Sequence, residues 1–217
     1  MDNKKAGMDS LIREMRAKGN LKSDRVEEAM RSAPRHLFAP EKSKDSAYSD
    51  SPLSIGHGQT VSQPSVVAKM TEFLDVETGD RILEIGAGSG WQSAVLSHLV
   101  GDTGKIYTIE VVEELAEQAR RNLKDADVEN VEVLVGDGST GMEEHAPYDG
   151  IICTAVSPGI QEEWIEQVKI GGRIVTPVSG MVLHNLVVVE KVGESETKTV
   201  RKERGYRFVK LKGEKGF

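Results

Sequence analysis

Ile82-Leu83-Glu84-Ile85-Gly86-Ala87-Gly88-Ser89-Gly90-Trp91 is the stretch on which the fold turns. Its first four residues read as a buried strand that runs straight into a glycine-rich turn. Ala94, Val95, Leu96, Leu99 and Val100 then fall at helical spacing. Glycine lets the backbone turn sharply, and lets a nucleotide-like ligand approach where a Cβ would collide. In a parallel sheet such a turn lies at the C-terminal edge of the first strand, where the strand order reverses and a crevice opens.

Downstream the alternation continues. Apolar runs at 81–85, 105–110, 131–135, 149–155 and 172–178 are separated by helical stretches at about 91–100, 112–124 and 160–169. Strands joined by helices of this length imply crossover units and a parallel sheet covered on both faces. The 112–124 helix has Glu113, Glu114 and Glu117 early and Arg120, Arg121 and Lys124 late, as the helix dipole favours. Upstream, Met8, Leu11, Ile12 and Met15 form one helical stripe ended by Gly19. Val26, Ala29, Met30 and Ala33 form another, with Ser23 as N-cap. Residues 34–63 show no period and read as a long functional loop, and a third helix should begin at Pro64. After residue 180, Val182 to Val189 and Arg207 to Leu211 read as antiparallel strands with a charged connection. The expectation is a doubly wound α/β fold with a mostly parallel sheet and a helical N-terminal extension. One domain would span 1–217: helices and a substrate and cofactor loop in 1–78, a nucleoside-binding core in 79–180, and C-terminal strands in 181–217.

Composition narrows the class. The 217 residues are 38% apolar with 22 glycines and a formal net charge of −7, ordinary for a globular protein and mildly against a dedicated nucleic-acid binder. The lone Cys153 rules out an internal disulfide framework and a cysteine-based zinc cluster, and points to a reducing, cytoplasmic setting. No apolar run approaches a membrane span and no signal-peptide core opens the chain, so no membrane partner is expected. The five histidines have no metal-ligand spacing, and no metal is expected; His57 alone is placed near the site.

The turn's details select the ligand. Its glycines are spaced G-x-G-x-G, whereas a dinucleotide fingerprint needs a glycine where Trp91 stands. Glu84, just before the turn, would repel a pyrophosphate but suits the cationic methionine end of S-adenosyl-L-methionine. Glu110 ends the next strand, where a carboxylate can accept from both ribose hydroxyls. Gly136-Asp137-Gly138 follows the third strand, and Asp137 can accept from the adenine amine. Glu84, Gly86, Gly88, Gly90, Glu110, Val111, Asp137 and Gly138 are therefore the candidate cofactor contacts, with S-adenosyl-L-homocysteine as product.

These residues sit among others that resemble the protein-L-isoaspartate (D-aspartate) O-methyltransferase family. Pro34-Arg35-His36-x-Phe38, Ala47-Tyr48-x-Asp50-x-Pro52-Leu53-x-Ile55-Gly56 and the diagnostic Gly58-Gln59-Thr60-Val61-Ser62-Gln63-Pro64 carry the likeness. So do His145-Ala146-Pro147-Tyr148-Asp149-Gly150-Ile151-Ile152 and Gly171-Gly172-Arg173. The resemblance implies the class I, Rossmann-like methyltransferase fold and methylation of the α-carboxylate of isoaspartyl and D-aspartyl residues in damaged proteins. It also implies that Ser62 is the active-site serine. The chain departs at Ala155-Val156-Ser157-Pro158, at Thr176-Pro177-Val178-Ser179-Gly180, and at Lys210, where proline is usual.

The chemistry suits these residues. A carboxylate with a pKa near ~4 is already ionised at neutral pH, so transfer from a sulfonium needs positioning and desolvation rather than a base. Hydroxyls orient a carboxylate without trapping it as an ion pair. Thr60 and Ser62, two residues apart, would point the same way from an extended segment, beside the positive N-terminus of the helix at Pro64. A plainer reading is that Thr60, Ser62 and Gln63 only cap that helix. No G-x-S-x-G elbow supports serine-hydrolase chemistry. From Glu190 onward nine Lys/Arg stand against five Asp/Glu. This basic stretch reads either as a lysine-dressed edge strand or as a rim attracting anionic peptides. It is the only support for an alternative, methylation of RNA or a small molecule. Damaged isoaspartyl proteins are the expected partners, and the expected working form is a monomer.

Overall fold

The computed structural model describes residues 2–217. The chain opens with α1 (Asp2–Ala17) and α2 (Asp24–Ser32), both on their expected stripes. The Ser23 side chain accepts from the Val26 backbone N–H, so the N-cap read from sequence is formed. Residues 34–63 are more ordered than expected. Two 3-10 turns (Arg35–Leu37 and Glu41–Ser46) lead into a two-stranded antiparallel hairpin, β1 (Leu53–Gly56) and β2 (Gln59–Val61). Pieces of three to six residues are too short to show a period, which is why the segment reads as loop.

From α3 (Pro64–Leu74) the chain enters the main sheet: β3 (Arg81–Ile85), α4 (Trp91–Val100), β4 (Lys105–Glu110), α5 (Glu113–Asp125), β5 (Val131–Val135), β6 (Tyr148–Cys153), α6 (Glu162–Gln167) and β7 (Val168–Val178). Last come β8 (His184–Lys191) and β9 (Thr197–Tyr206). The sheet order is β5-β4-β3-β6-β7-β8-β9, parallel from β5 to β7 and antiparallel beyond. The chain runs outward from β3 to β5, then crosses back to lay β6 on the other side of β3. The order therefore reverses at β3, and a crevice opens beyond its C-terminal end.

Two apolar layers flank this sheet. Ile82, Ile152 and Val175 face the layer of α1 to α5, whereas Leu83, Ile85, Ile151 and Ile174 face Trp164 and Val168. Cys153 belongs to the second layer, fully buried, with burial pushing its thiol up to about 12.

Three expectations are corrected beyond α5. The helix expected at 160–169 is only α6, because the chain turns extended at Val168 and pairs there with Tyr148. β7 then bulges and rejoins at Arg173 opposite Gly150, so its continuous ladder starts near the expected 172. The charged connection after β8 is itself a strand, β9; paired on one side only, it is the edge-strand reading of the basic stretch. Arg207–Leu211 is not a strand: it joins the fold through a single rung, Leu211 N–H to Val156 O at 2.9 Å and Val156 N–H to Val209 O at 2.8 Å.

Candidate active site

A cavity of about 830 Å³ occupies the crevice at the reversal point, within the range of small-molecule sites. One wall is the glycine turn. Gly86 has φ of 96°, and a Cβ there would lie 2.5 Å from Thr154 Oγ1, so only glycine fits. Its peptide is gripped from both sides. The Gly86 N–H donates to Ile109 O at 2.8 Å, and the Thr154 hydroxyl donates to Gly86 O at 2.7 Å. Asn122 on α5 adds a third hold by donating to Ser89 O at 2.8 Å. The turn is thus rigid before any ligand arrives.

The second wall is the hairpin together with the residues that link it to α3. Val61 is buried in the core, which by strand alternation turns Thr60 and Ser62 towards the cavity that both line. This strap lies directly over the turn: a Cβ on Gly88 would sit 3.9 Å from the Thr60 carbonyl oxygen and 3.7 Å from Ile55. The capping reading fails here. Gln63 occupies the N-cap of α3 but its side chain caps no backbone N–H, donating to the Ser65 hydroxyl at 3.1 Å, and the Ser65 backbone N–H donates instead to Asp50 Oδ1 at 2.9 Å. We expect Asp50→Ala to cost about 1 kcal/mol, a drop of roughly 2–4 °C in thermal midpoint by calorimetry, as loss of a cap does.

The charges in the cavity are divided by position. Glu84 lies beneath the turn, 0% exposed, with its Oε2 accepting from the Ser93 hydroxyl. Its Oε1 has no partner, nor does the hydroxyl of Thr108, the residue paired with it on β4. Burial pushes this carboxyl up to about 8, so it is protonated at neutral pH. Glu110, at the end of β4, accepts from Gly88 N–H at 2.9 Å and from Val112 N–H at 3.1 Å, and Val111 beside it also lines the cavity. The lining also holds basic residues: Lys69 from α3, and Arg207, Lys210 and Lys212 from the segment after β9. Lys69 is steadied by Glu203 at 3.0 Å and the Tyr206 hydroxyl at 3.2 Å.

Of the ten residues singled out from sequence, Thr60, Ser62, Glu84, Gly86, Gly88, Glu110, Val111 and Gly138 line this one cavity. Gly90 and Asp137 are not among its lining residues. Gly90 is the N-cap of α4 at φ of 85°, packed against Leu123. Asp137 caps the turn that comes after it, accepting from Ser139 N–H at 2.8 Å, and its other oxygen accepts from Glu214 N–H of the C-terminal tail at 2.7 Å. These bonds hold its carboxyl below the usual carboxylate range despite partial burial. Gly138 is fixed by α6, where the Trp164 indole N–H donates to its carbonyl at 3.2 Å. His57 stands exposed at the hairpin tip and does not line the cavity. Thr154 was missed because a single threonine after a strand carries no pattern. Trp91, next to the turn, does line the cavity.

Comparison with known proteins agrees with this geometry. The family model described as protein-L-isoaspartate(D-aspartate) O-methyltransferase matches residues 6–216. Protein-L-isoaspartate O-methyltransferase 2 of Archaeoglobus fulgidus is 50% identical over 209 residues, covering 95% of this chain and 93% of its own. The Methanopyrus kandleri protein-L-isoaspartate O-methyltransferase is 47% identical, with 95% and 92% covered. A solved protein-L-isoaspartate O-methyltransferase superposes with a TM-score of 0.84 at 29% identity, covering 96% of this chain and 67% of that one. A Plasmodium falciparum protein, described as a putative member and bound to S-adenosyl-L-homocysteine, shares the fold with a TM-score of 0.80 at 21% identity.

Proposed function

Because the chain belongs to the protein-L-isoaspartate (D-aspartate) O-methyltransferase family, we propose that its cavity is a two-ended site, acidic where the methyl donor binds and basic where the acceptor enters. The protein methylates the α-carboxylate of L-isoaspartyl and D-aspartyl residues in damaged proteins, the step that initiates their repair. S-adenosyl-L-methionine, when bound, supplies a methyl group on a cationic sulfur. The observation that carries the reading is the juxtaposition of the hydroxyl strap and the glycine turn across one cavity.

The donor end fits that cofactor. Glycine at 86 lets the turn take a path that a Cβ meeting Thr154 would forbid, and one Glu84 oxygen has no hydrogen-bond partner. Glu84 would face the methionine ammonium. Each Glu110 oxygen keeps a lone pair for a ribose hydroxyl beyond its backbone bond. Val111 and the backbone of Gly138 would flank the base. Gly88 and the Gly90 cap set the path of the turn, and Asp137 shapes the wall through its bonds to residues 139 and 214 rather than by direct contact. At the acceptor end, Thr60 and Ser62 donate to the carboxylate and hold one oxygen towards the methyl group. The segment folded over the cavity excludes water, so the two charges neutralise each other in a dry site. No proton moves, because the nucleophile is already ionised.

The N-terminal strap, the central turn and the segment after β9 each contribute walls to the one cavity, which supports a single domain. The buried lone thiol supports a cytoplasmic setting, and no described helix is long and apolar enough to cross a membrane. Arg207, Lys210 and Lys212 of the basic stretch line the cavity, which favours an anionic peptide over nucleic acid. The test is transfer of a labelled methyl group from S-adenosyl-L-methionine to an isoaspartyl peptide and to its aspartyl twin. Label is expected on the first only. Label on neither, or equally on both, overturns the reading.

A further inference from the structure

Arg35 is fully buried at the start of the first 3-10 turn, yet it makes no ion pair among the described residues. Its two Nη groups donate to backbone carbonyls, while Nε is buried without a partner. Nη1 reaches Ala47 O at 2.8 Å and Ser49 O at 3.3 Å. Nη2 reaches Ser51 O at 2.8 Å, Val61 O at 3.4 Å and Ser62 O at 2.9 Å. One guanidinium thus gathers five points of a segment that otherwise has only short turns and a three-residue strand to hold it. The group lies against the Trp91 ring, 5.0 Å from guanidinium carbon to ring centroid, and Trp91 is itself fixed by its indole N–H to Ala33 O at 2.9 Å. The strap is therefore tied to the first residue of the helix that succeeds the glycine turn.

Burial lowers this guanidinium to about 10, still cationic at neutral pH. Asp50 is the nearby acid that favours the charge, but it spends an oxygen on Ser65 N–H and does not pair with it. A buried cation without an anion is costly, whereas neutral donors would satisfy carbonyls at lower cost. The charge is accounted for if an anion arrives during the working cycle. The acceptor carboxylate of the proposed reaction does so on the other side of Ser62, where the α3 N-terminus contributes a potential of the same sign.

We propose that Arg35 is a positioning residue for methyl transfer: it holds the Ser62 segment by its carbonyls and sets a desolvated positive charge behind the hydroxyl that receives the acceptor carboxylate. The proposal rests on the assignment of Ser62, and turnover of an isoaspartyl peptide by the unaltered protein tests that assignment separately.

Arg35→Lys keeps the charge but cannot span five carbonyls. Arg35→Met keeps the bulk and loses both. Rates are referred to S-adenosyl-L-homocysteine binding sites, so only folded molecules count. For Arg35→Lys we expect kcat to fall by about 30-fold with the peptide KM and the S-adenosyl-L-homocysteine Kd within about threefold of the parent; Arg35→Met should also raise KM by about tenfold. Placed in Ser62→Ala, Arg35→Lys should add less than about a twofold loss, because the two act through one hydroxyl. Should the Met variant not fold, the Lys variant and its double mutant carry the test. Activity per site within about threefold of the parent in Arg35→Lys, or multiplicative losses in the double mutant, overturns the proposal.

Discussion

Replacing Ser62 with alanine should lower kcat for an isoaspartyl peptide by about 10²-fold while leaving the Kd of S-adenosyl-L-homocysteine within about threefold, the scale on which losing one preorganised donor acts. The split arises from how Ser62 is built in. Its hold on the fold is its carbonyl, bonded to Arg35, which alanine retains. Only the hydroxyl is lost, from a residue that lines the cavity on the strap, whereas the proposed donor contacts come from other elements. Single-turnover kinetics with saturating cofactor, beside a binding titration, make the measurement. Unchanged turnover with normal cofactor binding would remove Ser62 from the mechanism. Thr60→Val tests whether the second hydroxyl also orients the acceptor. A loss smaller than that of Ser62 is expected, because Thr60 is held in the hairpin ladder opposite Ser54.

The second large effect is at Glu84 and is read through pH. In the free protein this carboxyl is raised to about 8. A folded-state value above the unfolded one means that the stability it contributes is present at acid pH and declines as pH rises towards 8. The decline is about 1.4 kcal/mol per pH unit between roughly pH 4.5 and 8. Glu84→Gln is neutral throughout, so its cofactor-free stability should be flatter over that window and exceed the parent's at pH 8, as a denaturant titration series will show. The binding effect has the opposite sense. If Glu84 meets the methionine ammonium, binding drives its proton off. Affinity for S-adenosyl-L-homocysteine should then rise with pH towards 8, and calorimetry at pH 7 in buffers of different ionisation enthalpy should record release of close to one proton. In Glu84→Gln the release should vanish and affinity should fall by about 10²-fold, the cost of losing a buried charge-assisted bond. Proton release that survives in the variant would mean that another group carries it.

How far these features were legible in the sequence depends on the range of the forces that set them. β3, β4, β5 and α4 appear at their expected limits because each is a run long enough for its own pattern to show. The constellation Glu84, Gly86, Gly88 and Glu110 was legible for the same reason: strand ends in a parallel sheet converge wherever the order reverses. The hairpin at 53–61 was not, since its strands are held by the core contact of Val61 and by Arg35 rather than by internal pattern. Asp137 shows the limit most clearly. Its place after β5 suggested adenine; what no local pattern marked is that its carboxylate, besides accepting from Ser139 N–H, also accepts from the backbone of Glu214, far along the chain. β9 was hidden because an edge strand needs no apolar alternation on its open side; only Val200 and the ladder to β8 mark it.

The tail that reaches Asp137 has a consequence for biogenesis. Glu214 N–H binds Asp137, Lys215 N–H binds the Ser139 hydroxyl at 3.0 Å, and the Lys215 ammonium meets Glu163 at 3.0 Å. Residues 214 and 215 thus fasten a turn made nearly eighty residues earlier in the chain. A nascent chain that has not yet emerged as far as Lys215 has its glycine turn but lacks this fastening, so the turn after β5 is secured only once that segment has left the ribosome.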